Sequence, residues 1–380
     1  MDGISASIVI PVYNSARYLE GCLASALGQT RGDIEVICVD NGSTDESPDI
    51  LARMAAHDER LVVLRERRPG VSCARNTGMA RARGDYLLFM DSDDTVEPTL
   101  VERSLSAAEE RDAQLVIYSL DECYEEPRVS FPWPRCPHEE CYASAFATRD
   151  LDFPAMFAVT PNVWRIAFKA SYIKDLDLVY PEELRSSEDL VFVYRAMLPA
   201  TRVTLVPEVL YHYRKDNAGS LTRNDRQAAG LVALQMIYDA FEGVHGERWF
   251  QYQFVNLLLD TFEYQMKTCA TKREYTRLFE GFQQNWRQYV WDRSELVDER
   301  YRRFFGRMDS LDPMDNLFEQ HQDAEHNAEF FRMWDGAHRA AAEQAVSREL
   351  EVTDELNGIK ASRSWRFARA IAGIAGVFHR

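Results

Sequence analysis

Asp85-Tyr-Leu-Leu-Phe-Met-Asp91-Ser92-Asp93-Asp94 is the stretch on which the reading of the whole chain turns. Tyr86 to Met90 is a short apolar, aromatic-rich run, the pattern of a strand buried on both faces in a sheet flanked by helices. It ends at three carboxylates within four residues. Like charges crowded at a strand end repel one another and are costly to desolvate. One reading is a solvated acidic turn. The other is a divalent-metal site, because Mg²⁺ or Mn²⁺ takes one or two carboxylates together with phosphate oxygens, and open α/β sheets bind ligands beyond the carboxyl ends of their strands.

The chain on either side of this stretch alternates strand and helix. Ser7 to Val12 is a β-branched run, expected to end or turn at Pro11, which cannot donate to a ladder. Ser15 is placed to cap a helix whose apolar positions Tyr18, Leu19, Cys22, Leu23, Ala26 and Leu27 recur with helical period. Ile34 to Val39 is a second strand and runs into the turn Asp40-Asn-Gly-Ser-Thr-Asp45, followed by a helix over Pro48 to Ala56. Leu61 to Leu64 reads as a strand, Ser72 to Arg83 as a helix despite Gly78, and Leu115 to Leu120 as a further strand. Such alternation with short connections implies a mostly parallel sheet with right-handed crossovers. The polar turns after Val12, Val39 and Met90 then share one sheet edge. No GxGxxG and no GxxxxGKS/T occurs, which counts against a dinucleotide fold or a P-loop.

With 380 residues the chain has room for two domains, or for one catalytic domain with a large appendage. A formal charge of -17 argues against nucleic acid as a partner. The sequence has no uninterrupted apolar run of about 18 residues, the least a membrane span needs. Nor does a basic-then-apolar leader precede the first strand. Seven scattered cysteines suggest reduced thiols and a cytosolic setting. Cys136-Pro-His138-Glu-Glu-Cys141 is the one cluster resembling a zinc site, but its spacing is unusual and no second pair follows.

Four blocks carry a resemblance. Ser7-Ile-Val-Ile-Pro-Val-Tyr-Asn14, Val39-Asp-Asn-Gly-Ser-Thr-Asp45, Gly70-Val-Ser-Cys-Ala-Arg-Asn-Thr-Gly78 and Gly84-Asp-Tyr-Leu-Leu-Phe-Met-Asp-Ser-Asp-Asp94 occur in order. Together they resemble the family 2 glycosyltransferases, inverting enzymes of the GT-A fold, over residues 5 to 222 or so. The resemblance implies an α/β catalytic domain built on a Rossmann-like mixed sheet over residues 1–223, with a donor half at 1–120 and an acceptor half at 121–223.

It further implies that Pro11 and Tyr13 pack against a nucleotide base and that Asp40 accepts from its ring N–H, favouring uracil. An aromatic face stacks a base, and one carboxylate separates N–H donors from acceptors. Arg75 and Asn76 fall near the same edge, where Arg75 could pair with phosphate or hold Asp93 in place. By the same resemblance Asp91 and Ser92 reach the ribose or metal, and Asp93 is the principal ligand of Mn²⁺ or Mg²⁺. Asp94 supports them. Ser186-Ser-Glu188-Asp189-Leu-Val-Phe192 resembles the family's Glu-Asp-x-x-Phe block, in which Asp189 is the catalytic base and Glu188 its neighbour; a capped helix start would look similar. Tyr211-His-Tyr-Arg214 resembles the segment preceding a loop that closes over the donor, with Arg214 on the diphosphate, Ser220 on the loop, and His212 either structural or completing the metal shell. Ala218 and the pair Arg165-Ile166 depart from the family, which often has His and Asn-Lys there.

Residues 121–150, rich in proline, read as a loop-rich insertion that contributes to acceptor specificity. From about Asp225 the pattern turns helical. Leu231, Leu234, Ile237, Tyr238 and Phe241 share a face, and the aromatics of Trp249 to Phe262 read as core. A mostly α-helical C-terminal domain is expected over 224–358, serving in homo-oligomer assembly or acceptor binding. The tail at 359–380 is basic and amphipathic, with Lys360, Arg363, Arg366, Arg369 and Arg380 among apolar residues. It suits either an anionic membrane surface, where a lipid-linked acceptor would lie, or a partner helix. The expected activity is transfer of a sugar from a UDP-sugar to a saccharide or lipid-linked acceptor, at the inner face of a bacterial membrane. The rivals are a non-catalytic scaffold of the same fold and a nucleotidyltransferase, whose Gly-rich basic N-terminal loop Ile8 to Asn14 does not supply.

Overall fold

A computed structural model describes residues 3–124, 129–132, 136, 138–152, 162–215, 229–268 and 272–310. The chain divides into two compact units, Met1–Met314 and Asp315–Arg380, and every described residue lies in the first. Ala218, Ser220, the 311–358 stretch and the 359–380 tail fall outside the described residues.

Strands β1 (Ala6–Val12), β2 (Ile34–Asp40), β3 (Leu61–Arg65) and β4 (Tyr86–Phe89) form a parallel half-sheet in the order β3-β2-β1-β4, with Val9 opposite both Ile37 and Phe89. Helices α1 (Ala16–Leu27), α2 (Ser47–Ala55) and α3 (Val71–Arg81) make the crossovers. β2 and β4 are buried throughout and β1 almost so, which is why their sequences are mostly apolar; the buried exceptions Ser7 and Glu35 hydrogen-bond each other, and Asp40 ends β2. β1 does not stop at Pro11 as expected: it continues to Val12, with Pro11 opposite Val39. The missing N–H is tolerated because β4 stops pairing opposite Val9, so the end of β1 has β2 as its sheet neighbour.

Beyond β4 the sheet is mixed. β8 (Ile166–Lys169) lies antiparallel to β4, and β6 (Leu115–Tyr124) antiparallel to β8. β9 (Val203–Arg214) then runs parallel to β6, and the two-residue β5 (Thr95–Val96) closes antiparallel on β9. The segment expected to be loop-rich is partly sheet: β6 runs on to Tyr124, and β7 (Val129–Pro132) pairs with it as a hairpin arm. Asp121 and Cys123 gave that extension no apolar signature.

Glycine sets two close approaches. A Cβ on Gly78 would lie 2.4 Å from Val9 Cγ1, so glycine is what lets α3 sit directly on β1. At Gly84 the obstacle is backbone, with Ser7 N at 2.5 Å and Ala6 C at 2.6 Å. Gly84 is also pinned there, its N–H donating to Ser7 Oγ and the Asp85 N–H to the Ile4 carbonyl. Gly84→Ala is therefore expected to lower unfolding free energy by about 1–3 kcal/mol, measured by urea denaturation.

Past β9, helices Ala229–Ala240, Arg248–Thr268, Lys272–Asn285 and Glu299–Ser310 pack about Phe250, Phe254, Phe262, Phe282 and Tyr301, all buried. Of the aromatics between Trp249 and Phe262, Phe250, Phe254 and Phe262 are core while Trp249 and Tyr252 are half-buried; further on, Tyr264 and Trp291 are exposed. Gln253 Nε2 donates to the Leu151 carbonyl, fastening the long helix to the sheet-bearing part of the same unit.

Candidate active site

The carboxyl ends of β1, β2 and β4 meet at one edge. Tyr13 stands just beyond β1 and is 57% exposed, a bare ring face next to Pro11. Asp40 ends β2 and is only 5% exposed, with Oδ1 accepting the Ser43 N–H at 2.9 Å. Asn14 holds the two turns together from a left-handed backbone (φ 48°), its Oδ1 accepting the Thr44 N–H. Ser15 begins α1 but does not cap it; its hydroxyl shares a hydrogen bond with Ser92 instead. This draws the Tyr13 turn against the acidic turn.

That acidic turn is held from several sides. The Asp94 N–H closes onto the Asp91 carbonyl, and the Asp91 N–H donates to Tyr211 Oη. Tyr211 Oη–H in turn donates to Asp94 Oδ2 at 2.6 Å, and the Arg214 N–H donates to Asp94 Oδ1 at 2.8 Å. Asp94 is fully enclosed, and burial first, then Asp93 and Asp91, raise its pKa well above the usual carboxylate range. Both of its oxygens accept hydrogen bonds from β9. Arg214 reaches back through Nε to the Asp93 carbonyl, with its guanidinium 4.6 Å over the Tyr18 ring.

Arg75, 5% exposed in α3, ties this turn to a distant helix. Nη2 donates to Asp91 Oδ1 at 3.1 Å and Nη1 to Glu188 Oε1 at 2.8 Å. Burial works against its charge, but Tyr180, Asp91 and Glu188 outweigh it and raise the pKa. Within the acidic turn, Arg75 pairs with Asp91 rather than with Asp93, the partner the sequence suggested. Glu188 and Asp189 open the helix Glu188–Met197, entered through Ser187 in a left-handed conformation (φ 63°). A non-glycine residue held there is backbone strain beside a candidate site. Phe192, one turn on, stacks on Tyr180 at 4.0 Å and meets Phe89 edge-on at 5.7 Å, so the aromatic end of β4 fixes how this helix sits. Asp189 is half-buried, its carboxyl closely surrounded by protein. Burial and Glu188, opposed by Arg75, push its pKa up to about 7.

Two expected site residues are engaged elsewhere. Asn76 Nδ2 donates to the Tyr180 carbonyl and Glu182 while its Oδ1 accepts the Tyr180 N–H, so its amide holds the 180–182 segment rather than facing a nucleotide. His212 has Nδ1 on Asp121 at 2.7 Å and Nε2 on Glu97 at 3.0 Å. Hydrogen bonding to Asp121 lifts its pKa to about 10, so it stands as an imidazolium between carboxylates rather than as a lone-pair donor to the Asp91–Asp93 turn. Ser220 lies outside the described residues. Arg165, which departs from the family pattern, is buried with Nε on the Tyr118 carbonyl, and Trp164 stacks against both Tyr211 and Tyr213, with ring centroids 4.8 and 4.9 Å away.

The donor set suits a hard dication. Asp91 and Asp93 are partly open, are close enough to Asp94 to raise its pKa, and present oxygen alone. Positive charge there would relieve the repulsion.

A mixed sheet with a parallel nucleotide-side half, polar strand ends at one edge, and an acidic turn facing a Glu-Asp helix start defines the GT-A class of transferase. The Glycosyl transferase family 2 model matches residues 7–161. EpsJ of Bacillus subtilis, a glycosyltransferase by name, is 32% identical over 234 residues, covering 62% of this chain and 67% of its own. Glycosyltransferase GlyG of Streptococcus pneumoniae is 29% identical, covering 69% of this chain and 90% of GlyG. Among solved structures, S. aureus TarS 1-349 in complex with UDP-GlcNAc superposes with a TM-score of 0.68 at 19% identity, covering 85% of this chain and 92% of TarS 1-349. The chain belongs to glycosyltransferase family 2 and is a glycosyltransferase.

Proposed function

We propose that this enzyme moves a sugar from a UDP-sugar to a hydroxyl of a saccharide or lipid-linked acceptor, with inversion at the anomeric carbon and with Mn²⁺ or Mg²⁺, in bacterial cell-surface polysaccharide or glycoconjugate synthesis. The observation that carries this reading is the Arg75 bridge. By pairing with Asp91 and Glu188 at once, it joins the acidic turn to the helix start that carries Asp189. A leaving-group site and a base then face each other, as inversion requires.

Tyr13 stacks the base and Asp40 accepts its ring N–H. Asp91, Ser92 and Asp93 face the ribose and diphosphate, and Arg214 adds positive charge at that end. Asp91 and Asp93 would hold the metal, which supplies charge neutralisation on the departing diphosphate. Asp189 takes the acceptor hydroxyl proton as that oxygen bonds to the anomeric carbon. The bond from that carbon to the phosphate oxygen breaks, and UDP leaves with the electron pair. Support for UDP as the nucleotide comes from the Asp40 carboxylate and from the UDP-GlcNAc in the TarS complex. The basic 360–380 stretch is proposed to rest on anionic lipid at the cytoplasmic face.

Calorimetric titration with UDP tests the donor site. Mn²⁺ is expected to tighten binding on the order of tenfold or more in the native chain, and Asp93→Ala to lose that gain while keeping the metal-free affinity. No UDP binding in either condition, with other nucleotides also silent, would remove the assignment.

A further inference from the structure

We propose that Asp121, Cys123 and His212 form a second cation site, selective for zinc-class ions and separate from the Asp91–Asp93 carboxylates. The site is built by strand register. Asp121 of β6 lies opposite His212 of β9, and Cys123 is two residues further along β6, on the same face. One carboxylate oxygen, the thiol sulfur and one imidazole nitrogen all fall within 4.8 Å of one another. Asp121 Oδ1 accepts from both partners, with His212 Nδ1 at 2.7 Å and Cys123 Sγ at 3.4 Å.

The ligand chemistry selects the ion. A thiolate, an imidazole and a carboxylate are the donors of Zn²⁺ and Co²⁺, whereas Mg²⁺ and Mn²⁺ favour oxygen sets such as Asp91 with Asp93. Tetrahedral bonds to zinc put ligand atoms about 3.3–3.6 Å apart. The Sγ–Oδ1 separation of 3.4 Å is already there, and the Nδ1–Oδ1 pair of 2.7 Å must open by about half an ångström. The other ring nitrogen is already provided for, since Nε2 lies 3.0 Å from Glu97 Oε1. Metal-bound histidines commonly donate their second N–H to such a carboxylate, which leaves Nδ1 for the metal. Three protein ligands leave one position for water, so the site would exchange its ion rather than lock it.

Binding balances without a further reagent. The Cys123 thiol and His212 Nδ1 each release a proton to buffer, and the thiolate with the Asp121 carboxylate neutralises the dication. The consequence is mechanical. β9 carries Tyr211 and Arg214, which hold Asp94, so a cation joining β6 to β9 stiffens the strand behind the acidic turn.

The test is cobalt titration of the full, chelator-stripped chain. The expected result is a thiolate-to-cobalt charge-transfer band with four-coordinate visible bands, saturating at one equivalent and displaced by zinc. Cys123→Ser should abolish the charge-transfer band, and Glu97→Gln should weaken affinity by about 10–100-fold. Asp93→Ala should leave the spectrum unchanged. A band that survives Cys123→Ser, or is lost in Asp93→Ala, overturns the proposal, as does no band at all. Should Cys123→Ser fold poorly, competition of the native chain with a chromogenic zinc chelator decides, and failure to take zinc from it overturns the site.

Discussion

Asp189→Asn is expected to lower kcat by about 10²–10⁴-fold while UDP affinity stays within about twofold of the native value. Asparagine keeps the shape of the side chain, and the hydrogen bond from the Leu190 N–H to Oδ1 can survive. What it lacks is basicity. A carboxyl whose pKa is pushed to about 7 by burial and by Glu188 is well matched to take a proton near neutral pH. The same value fixes the pH profile. The base works only when ionised, so kcat/KM in the native enzyme should fall about tenfold per unit below pH 7 and level off above it.

Stability should move the other way. The folded-state pKa lies above the ordinary carboxylate value, so between the two the native protein binds the extra proton and loses stability as pH rises towards 7. Asparagine has no such penalty, and Asp189→Asn should be at least as stable as the native chain at pH 8. A variant that stays within tenfold of native kcat, or that loses UDP binding with its activity, would remove Asp189 from the role of base.

What the sequence disclosed, and what it hid, follow from the reach of each interaction. β1, β2 and β4 were legible because each is a mostly apolar run covered on both faces, with Ser7, Glu35 and the terminal Asp40 as the polar members. β5, only Thr95–Val96, is too short to show any period, and the far end of β6 carries Asp121 and Cys123 where an alternating apolar face would be sought. The acidic turn and Glu188-Asp189 stood out as local clusters. Their connections did not. Arg75 meets Glu188 across 113 positions, and Tyr211 meets Asp94 across 117. Tyr180, which stacks Phe192 and lies under Arg75 at 5.3 Å, sits in a loop with no periodic signal and was missed altogether. Asn76 and His212 show the converse: their residue types suited a ligand site, and tertiary partners that no spacing reveals claimed both.

Arg75→Ala should unfold about 3–5 kcal/mol more readily than the native chain and lose most of its activity in the material that stays folded. The Arg75 and Glu188 side chains are 6% and 9% exposed, so removing the cation strands a carboxylate away from water. Asp91, at 32%, can recover hydration and contributes less. Arg75→Lys separates charge from geometry: a single ammonium cannot reproduce two directed guanidinium N–H bonds to groups on different elements, so it should recover only part of the stability and little of the rate. Arg75→Ala combined with Glu188→Gln should regain stability over Arg75→Ala alone, since the stranded charge is gone, yet remain slow because nothing then joins the helix of Asp189 to the acidic turn. Urea denaturation of the four proteins with single-turnover rates separates the two effects. Equal stability for Arg75→Ala and native enzyme would mean that the bridge does not hold the fold, and native rates in the double variant would mean that it does not position the base.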